Sequence, residues 1–225
     1  MDDALFRASI MVLPTIIAIT FHEAAHGYIA WRLGDDTAKI RGRVSFNPLR
    51  HIDLFGTIIL PAILFMSSAP LFGWAKPVPV NFLRLRRPKQ DMVWVALAGP
   101  GINIGLALLS AWALGWVHLA PRELHVWLSN SLFVSLQVNV MLAVFNMLPL
   151  PPLDGGRVLV GILPPFLAIP LARMEQFGML ILLGALVVAP IVAMQIGADF
   201  DAVGWLLWPP TKAIMTYMLT LFGVF

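Results

Sequence analysis

The chain has 225 residues, of which 59% are hydrophobic and only 12% charged, with a net charge of +3 and no cysteine. Soluble domains run about 45–50% apolar and about 25% charged, so this composition, with its positive mean hydropathy, is that of a polytopic membrane protein. The small net charge argues against a nucleic-acid partner, and the absence of cysteine excludes disulfides and thiolate ligands, leaving His, Asp and Glu to hold any metal.

The acidic start, Met1-Asp2-Asp3-Ala4, and the length of the apolar run behind it do not fit a cleavable signal peptide. Leu5 to Trp31 is the first predicted span, long enough to cross a bilayer at about 1.5 Å per residue, and Arg32 closes it. Inside it lies Phe21-His22-Glu23-Ala24-Ala25-His26-Gly27, which reads H-E-x-x-H. On a helix His22 and His26 project from one face and can share a metal ion. Glu23 follows directly, where it can reach a metal-activated water without being a ligand.

A polar stretch, Gly34 to Asp53, carries Lys39, Arg41, Arg43 and Arg50. Leu54 to Phe72 is apolar again but broken by Gly56, Pro61 and Pro70. It leads into Gly73–Asn81, where Pro77 and Pro79 alternate with valine, a pattern that predicts an extended edge strand. A second basic cluster follows, with Arg84, Arg86, Arg87 and Lys89. The positive-inside rule puts both clusters in the cytoplasm, so 54–83 leaves and returns on one side as a re-entrant helix and strand. A full span with an extended return is the alternative, disfavoured because irregular backbone at membrane depth must be buried in protein or line a wet cavity.

Met92 to Leu119 is the next span, and its Ala98–Gly105 run includes a Gly101/Gly105 pair suited to close helix approach. Val126 to Leu148 returns, carrying Gln137, Asn139 and Asn146, and ends in the stiff turn Pro149–Arg157. Gln137 and Asn139 are expected to fasten helices together. Leu163 to Glu175 reads as interfacial, and Phe177–Ile196 and Trp205–Phe225 are two final spans joined by an acidic outer loop. Trp31, Trp74, Trp127, Trp205 and Trp208 read as interfacial anchors. Eleven of the 15 Lys and Arg fall on the assigned cytoplasmic side, which predicts an outside N-terminus. The expected fold is an all-α polytopic membrane protein of about five to six transmembrane helices plus the cytoplasmic-side re-entrant helix/β-strand element. It forms one domain over 1–225, with a catalytic core at about 5–157 and two C-terminal spans at about 176–225.

An unpartnered Glu within a span costs roughly 2.5–3.5 kcal/mol, so an intramembrane Glu23 points to function. Catalytic zinc takes three protein ligands and leaves one position for water. His118 and His125 fall on the opposite membrane face, and His51, beside Asp53, reads as a loop or capping residue. Asp154 is the better third ligand. His22 and His26 lie roughly 9–15 Å in from the cytoplasmic end of the helix, so Asp154 meets them only if 146–156 also sinks into the membrane. Otherwise Asp154 is the N-cap of a segment starting at Arg157.

These residues resemble the site-2 protease family of intramembrane zinc metalloproteases, especially its short prokaryotic members without PDZ or CBS domains. The matching stretches are Phe21–Gly27, Gly34-Asp35, Gly42-Arg43, Asn47-Pro48, Gly73–Asn81, Ala98-Gly99-Pro100 and Asn146–Gly156. They cover about two thirds of the chain in the family's order. The resemblance implies one Zn2+ per chain on His22, His26 and Asp154, with Glu23 as general base and acid. It implies that Asn146 contacts the substrate backbone or reacting carbonyl, and that the Gly73–Asn81 region, with Val78, Pro79 and Val80, pairs with an unwound substrate segment. In the other view of that strand it only plugs the cavity.

The implied partners are single-span membrane proteins cut within or near a transmembrane segment, in regulated intramembrane proteolysis. The implied place is the lipid bilayer of the prokaryotic inner membrane, with the active site towards the cytoplasm. Nothing in the sequence fixes an oligomeric state. The rival reading is a metal-ion or proton transporter, which predicts carboxylates strung across the bilayer, whereas these acids gather at one depth.

Overall fold

The structure, a computed structural model, describes residues 3–66, 73–198, 201 and 203–224. Helix α1 (Asp3–Arg32) is closed by a basic last turn that complements the helix dipole. Gly34, at φ +116°, then turns the chain into the short α2 (Thr37–Ile40). Asn47 caps a 3₁₀ turn at Pro48–Arg50, and Asp53 caps a wide turn at Leu54–Ile59 by accepting from the Gly56 N–H at 2.7 Å. That turn runs into α3 (Leu60–Met66); the rest of the expected broken helix, 67–72, lies outside the described residues.

Residues 73–81 are extended and return to where this unit began. The Trp74 N–H donates to Gly56 O at 3.1 Å and the Lys76 N–H to His51 O at 2.9 Å. Gly56 is required there, because a Cβ would sit 2.4 Å from the Trp74 ring. The expected β-strand over Gly73–Asn81 does not form, and there is no strand among the described residues. The cause is the fate of its N–H groups. Pro77 and Pro79 have none, and those of Trp74, Lys76, Val78 and Asn81 go one each to four different partners rather than to a ladder.

The remaining helices are α4 (Pro88–Gly115), α5 (Arg122–Asn146), α6 (Asp154–Ile162), α7 (Pro165–Arg173), α8 (Glu175–Leu183), α9 (Ala189–Gln195) and α10 (Trp208–Leu221). A wide turn, Gly184–Val188, makes α8 and α9 one continuous segment. Four helical stretches are long and apolar enough to cross a membrane: Leu5–Arg32, Pro88–Gly115, Arg122–Asn146 and Glu175–Gln195. They coincide with four of the expected spans. The expected fifth, over Trp205–Phe225, contains the 14-residue α10 behind the wide turn Val203–Leu207.

Helix α4 is the hub, packing against α1, α5 and α6. In hydrocarbon no hydrophobic force joins helices, so small residues and interhelical hydrogen bonds hold them. Ala18, Ala107 and Ala111 are fully buried, and Ala107 and Ala111 meet Leu136 and Val140 of α5 and Met215 and Met218 of α10. The close-approach glycine is not the expected pair: nothing lies within 4 Å of a Cβ at Gly101 or Gly105. The packed face instead carries Gly99, Asn103, Ala107 and Ala111, spaced one helical turn apart. Asn103 Nδ2 donates to Ala18 O of α1 at 3.2 Å and to Asn139 Oδ1 of α5 at 2.8 Å, fastening three helices at one depth. Asn139 is thus the helix fastener its sequence position suggested.

Candidate metal centre

His22 and His26 lie one turn apart on α1 and face the junction of α4 and α6. Their Nε2 atoms are 3.0 Å apart, and each is 3.3 Å from Oδ2 of Asp154, the first residue of α6. All three residues are less than one-tenth exposed. They form the one group of three or more potential ligands among the described residues. Asp154 is not a helix cap: the N-cap is Leu153, and Asp154 Oδ2 is buried with no hydrogen-bond partner.

The outer ring nitrogens fix what the inner ones can be. His26 Nδ1 lies 2.7 Å from Val95 O, which can only accept. His22 Nδ1 lies 2.6 Å from Asn103 Oδ1, the acceptor end of an amide whose Nδ2 is already donating twice. Both Nδ1 atoms therefore donate, and both Nε2 atoms keep their lone pairs. Two imidazole lone pairs and a carboxylate oxygen converge with no proton between them, which is repulsive without a cation. A tetrahedral zinc with bonds of about 2.0–2.1 Å sets its ligands about 3.3 Å apart, so the triangle fits zinc.

Backbone shape brings these groups together. A Cβ at Gly99 would lie 2.3 Å from His26 Nε2 and 2.6 Å from His22 Nε2, so α4 can back the imidazoles only with glycine there. Asp154 reaches them because α6 begins directly on the preceding turn. Cβ atoms at Gly155 and Gly156 would stand 2.3 Å from Met147 O and 2.2 Å from Pro151 N.

Glu23 points to a different neighbour. Its Oε2 accepts from the Val78 N–H at 2.8 Å. A cavity of about 290 Å³ opens beside it, lined by His22, His26 and Asp154, by Trp74, Pro77, Val78 and Val80 on one wall, and by Asn146 and Leu142 of α5 on another. Asn146 Nδ2 donates to Leu142 O at 3.0 Å. Val78 is buried with its N–H taken by Glu23, and Pro79 has no N–H, so this wall offers a substrate mainly carbonyl acceptors. Val80 lines the same cavity.

Two residues unassigned by sequence reasoning hold that wall. Asp35, fully buried, accepts from the Asn81 N–H through Oδ2 at 2.6 Å and from the Thr37 N–H through Oδ1 at 3.0 Å. Arg43 Nη2 donates to Lys76 O at 2.5 Å. Burial lowers the Arg43 guanidinium below its ordinary value, and the charge of Glu23 works against that shift. Arg43 stood within a basic cluster that reported topology, and Asp35 beside a turn glycine; only their place in the family-like stretches 34–35 and 42–43 singled them out. His51 is a buried loop residue with Nε2 2.9 Å from Ser45 O, and His125 bonds Ala120 O at 2.7 Å; neither joins the three donors.

Residues 115–189 match peptidase family M50. Over 217 residues the chain is 37% identical to YwhC of Bacillus subtilis, across 95% of this chain and 90% of that protein. Over 194 residues it is 31% identical to Rip2 of Mycobacterium tuberculosis, across 85% of this chain and 70% of that protein. A 65-residue stretch is 38% identical to MJ0611 of Methanocaldococcus jannaschii, across 29% of this chain and 31% of that protein. All three carry the name "Putative zinc metalloprotease". No solved structure matches the chain.

Proposed function

The chain belongs to peptidase family M50, the site-2 proteases, and is a membrane zinc metalloprotease, and on that premise we propose that it cuts single-span membrane proteins within or near an unwound transmembrane segment. The observation that carries this reading is the convergence of His22, His26 and Asp154 beside a carboxylate, Glu23, that opens on the same cavity. His22 and His26 Nε2 and Asp154 Oδ2 would hold the metal. Bound zinc supplies Lewis acidity, polarising a carbonyl and bringing the pKa of water towards neutrality.

The chain's own residues do the rest. Glu23, one oxygen tethered to Val78, takes the proton of the attacking water with the other and returns it to the leaving amine. Asn146, on the opposite wall, orients the reacting carbonyl through its side-chain amide. The extended wall at Val78–Val80 lies along the unwound substrate and accepts its N–H groups, since a peptide bond still inside a helix is shielded by its own hydrogen bonds. The protein resides in a prokaryotic inner membrane with its N-terminus outside, and the active site faces the cytoplasm, in keeping with the basic residues of 39–50 and 84–89.

The test uses purified protein and a single-span substrate, with and without a zinc chelator, beside Glu23→Gln. Cleavage is expected only for the untreated wild type. Cleavage that survives either treatment overturns the metalloprotease mechanism, and bound zinc with no cleavage of any membrane substrate favours the transporter.

A further inference from the structure

The tether on Glu23 comes from a peptide group that is itself held from behind. Arg43 follows Gly42, whose φ of +64° turns the loop, and its N–H donates to Ala38 O at 2.8 Å. The residue is 9% exposed. Its Nη2 donates to Lys76 O at 2.5 Å and reaches Pro77 O at 3.4 Å. Pro77 O belongs to the same peptide unit as the Val78 N–H, and that N–H donates to Glu23 Oε2 at 2.8 Å.

The cation therefore stands at the oxygen end of one amide and the carboxylate at its nitrogen end. Two successive carbonyls gripped by one planar guanidinium fix the orientation of that amide plane. A cation at the oxygen also polarises the amide and strengthens the bond its N–H makes, as hydrogen bonds in a chain do. Neither effect requires Arg43 to approach substrate or metal.

We propose that Arg43 is a positioning residue for the reaction: through the Pro77–Val78 peptide it fixes the Glu23 carboxylate beside the metal donors. The inference rests on Glu23 being the general base. It predicts an effect on turnover, transmitted through Glu23, with no effect on metal retention. A residue that merely braced the loop would instead disturb the cavity wall and hence substrate binding.

The experiment is a double-mutant cycle on the full-length, zinc-loaded protein with a single-span substrate, combining Arg43→Gln and Arg43→Lys with Glu23→Asp. Zinc content is measured by elemental analysis on every variant. In the wild-type background Arg43→Gln is expected to lower kcat about 100-fold, the size of a roughly 1 Å misplacement of a reacting group, with KM and zinc content unchanged. Arg43→Lys, which keeps one charged donor, recovers part of the loss. In the Glu23→Asp background, whose shorter carboxylate no longer reaches the Val78 N–H, the Arg43 substitutions have little further effect.

Equal losses in both backgrounds, a rise in KM at constant kcat, or loss of zinc would each overturn the proposal. If Arg43→Gln does not fold, Arg43→Lys carries the same cycle. Absence of chelator-sensitive cleavage by the wild type would refute the protease reading itself, whereas normal cleavage with a neutral Arg43 refutes this inference alone.

Discussion

His22 and Glu23 are consecutive on α1, yet the structure holds them from different directions and by different means. The histidine, with His26, faces packed helices: Asn103 and Val95 fix its outer nitrogens from α4, Gly99 lets α4 come close, and α6 delivers Asp154. The glutamate, about 100° further round the helix, faces an irregular wall and is held by a backbone N–H of that wall. Metal retention should therefore follow helix packing, while the position of Glu23 should follow the extended wall to which Asp35 and Arg43 are bonded. The two should fail separately when perturbed.

The largest effect falls on the packed side. Asp154→Ala removes one of three donors and should abolish both zinc binding, by elemental analysis, and cleavage; a variant that kept stoichiometric zinc would break the distinction at its root. Glu23→Gln should lower the rate by about 10²–10⁴-fold, the usual worth of a general acid–base, while zinc content stays that of the wild type. Asn146→Ala, on the far wall, should cost about 10²–10³-fold in kcat, as loss of one donor to a developing oxyanion does, again with zinc retained.

The smallest expected change sharpens the contrast most. Asn103→Leu alters no donor, yet should weaken zinc about 10–100-fold in a competition titration with a chelator, because His22 Nδ1 loses the acceptor that fixes its tautomer. It also strands Asn139 Oδ1, at about 1–3 kcal/mol of stability in a thermal-unfolding assay. Unchanged zinc affinity in that variant would mean that the helix packing does not set the ligand geometry.

The two histidines were legible in the sequence because their pattern is local, whereas Asp154 could meet them only if 146–156 reached the same depth. H-E-x-x-H needs only a helix, and an acid in a stiff turn at the foot of a neighbouring span has few other uses. Four of the spans followed from length and hydropathy. The wall was not legible in detail. Alternating proline and valine describes an extended backbone but not where its N–H groups go, and here each finds a separate partner, so no strand results. Gly99 was obscured for a related reason. A run holding three glycines within seven residues says that α4 approaches something closely, but helix phase decides which glycine does so, and only the fold fixes phase.

Asp154 stands 128 positions beyond His26 in a chain that must enter the membrane segment by segment. Until α6 has been made and docked, the newly inserted α1 carries two imidazoles and a carboxylate with no third ligand. The three-donor metal centre is thus completed only when α6 arrives.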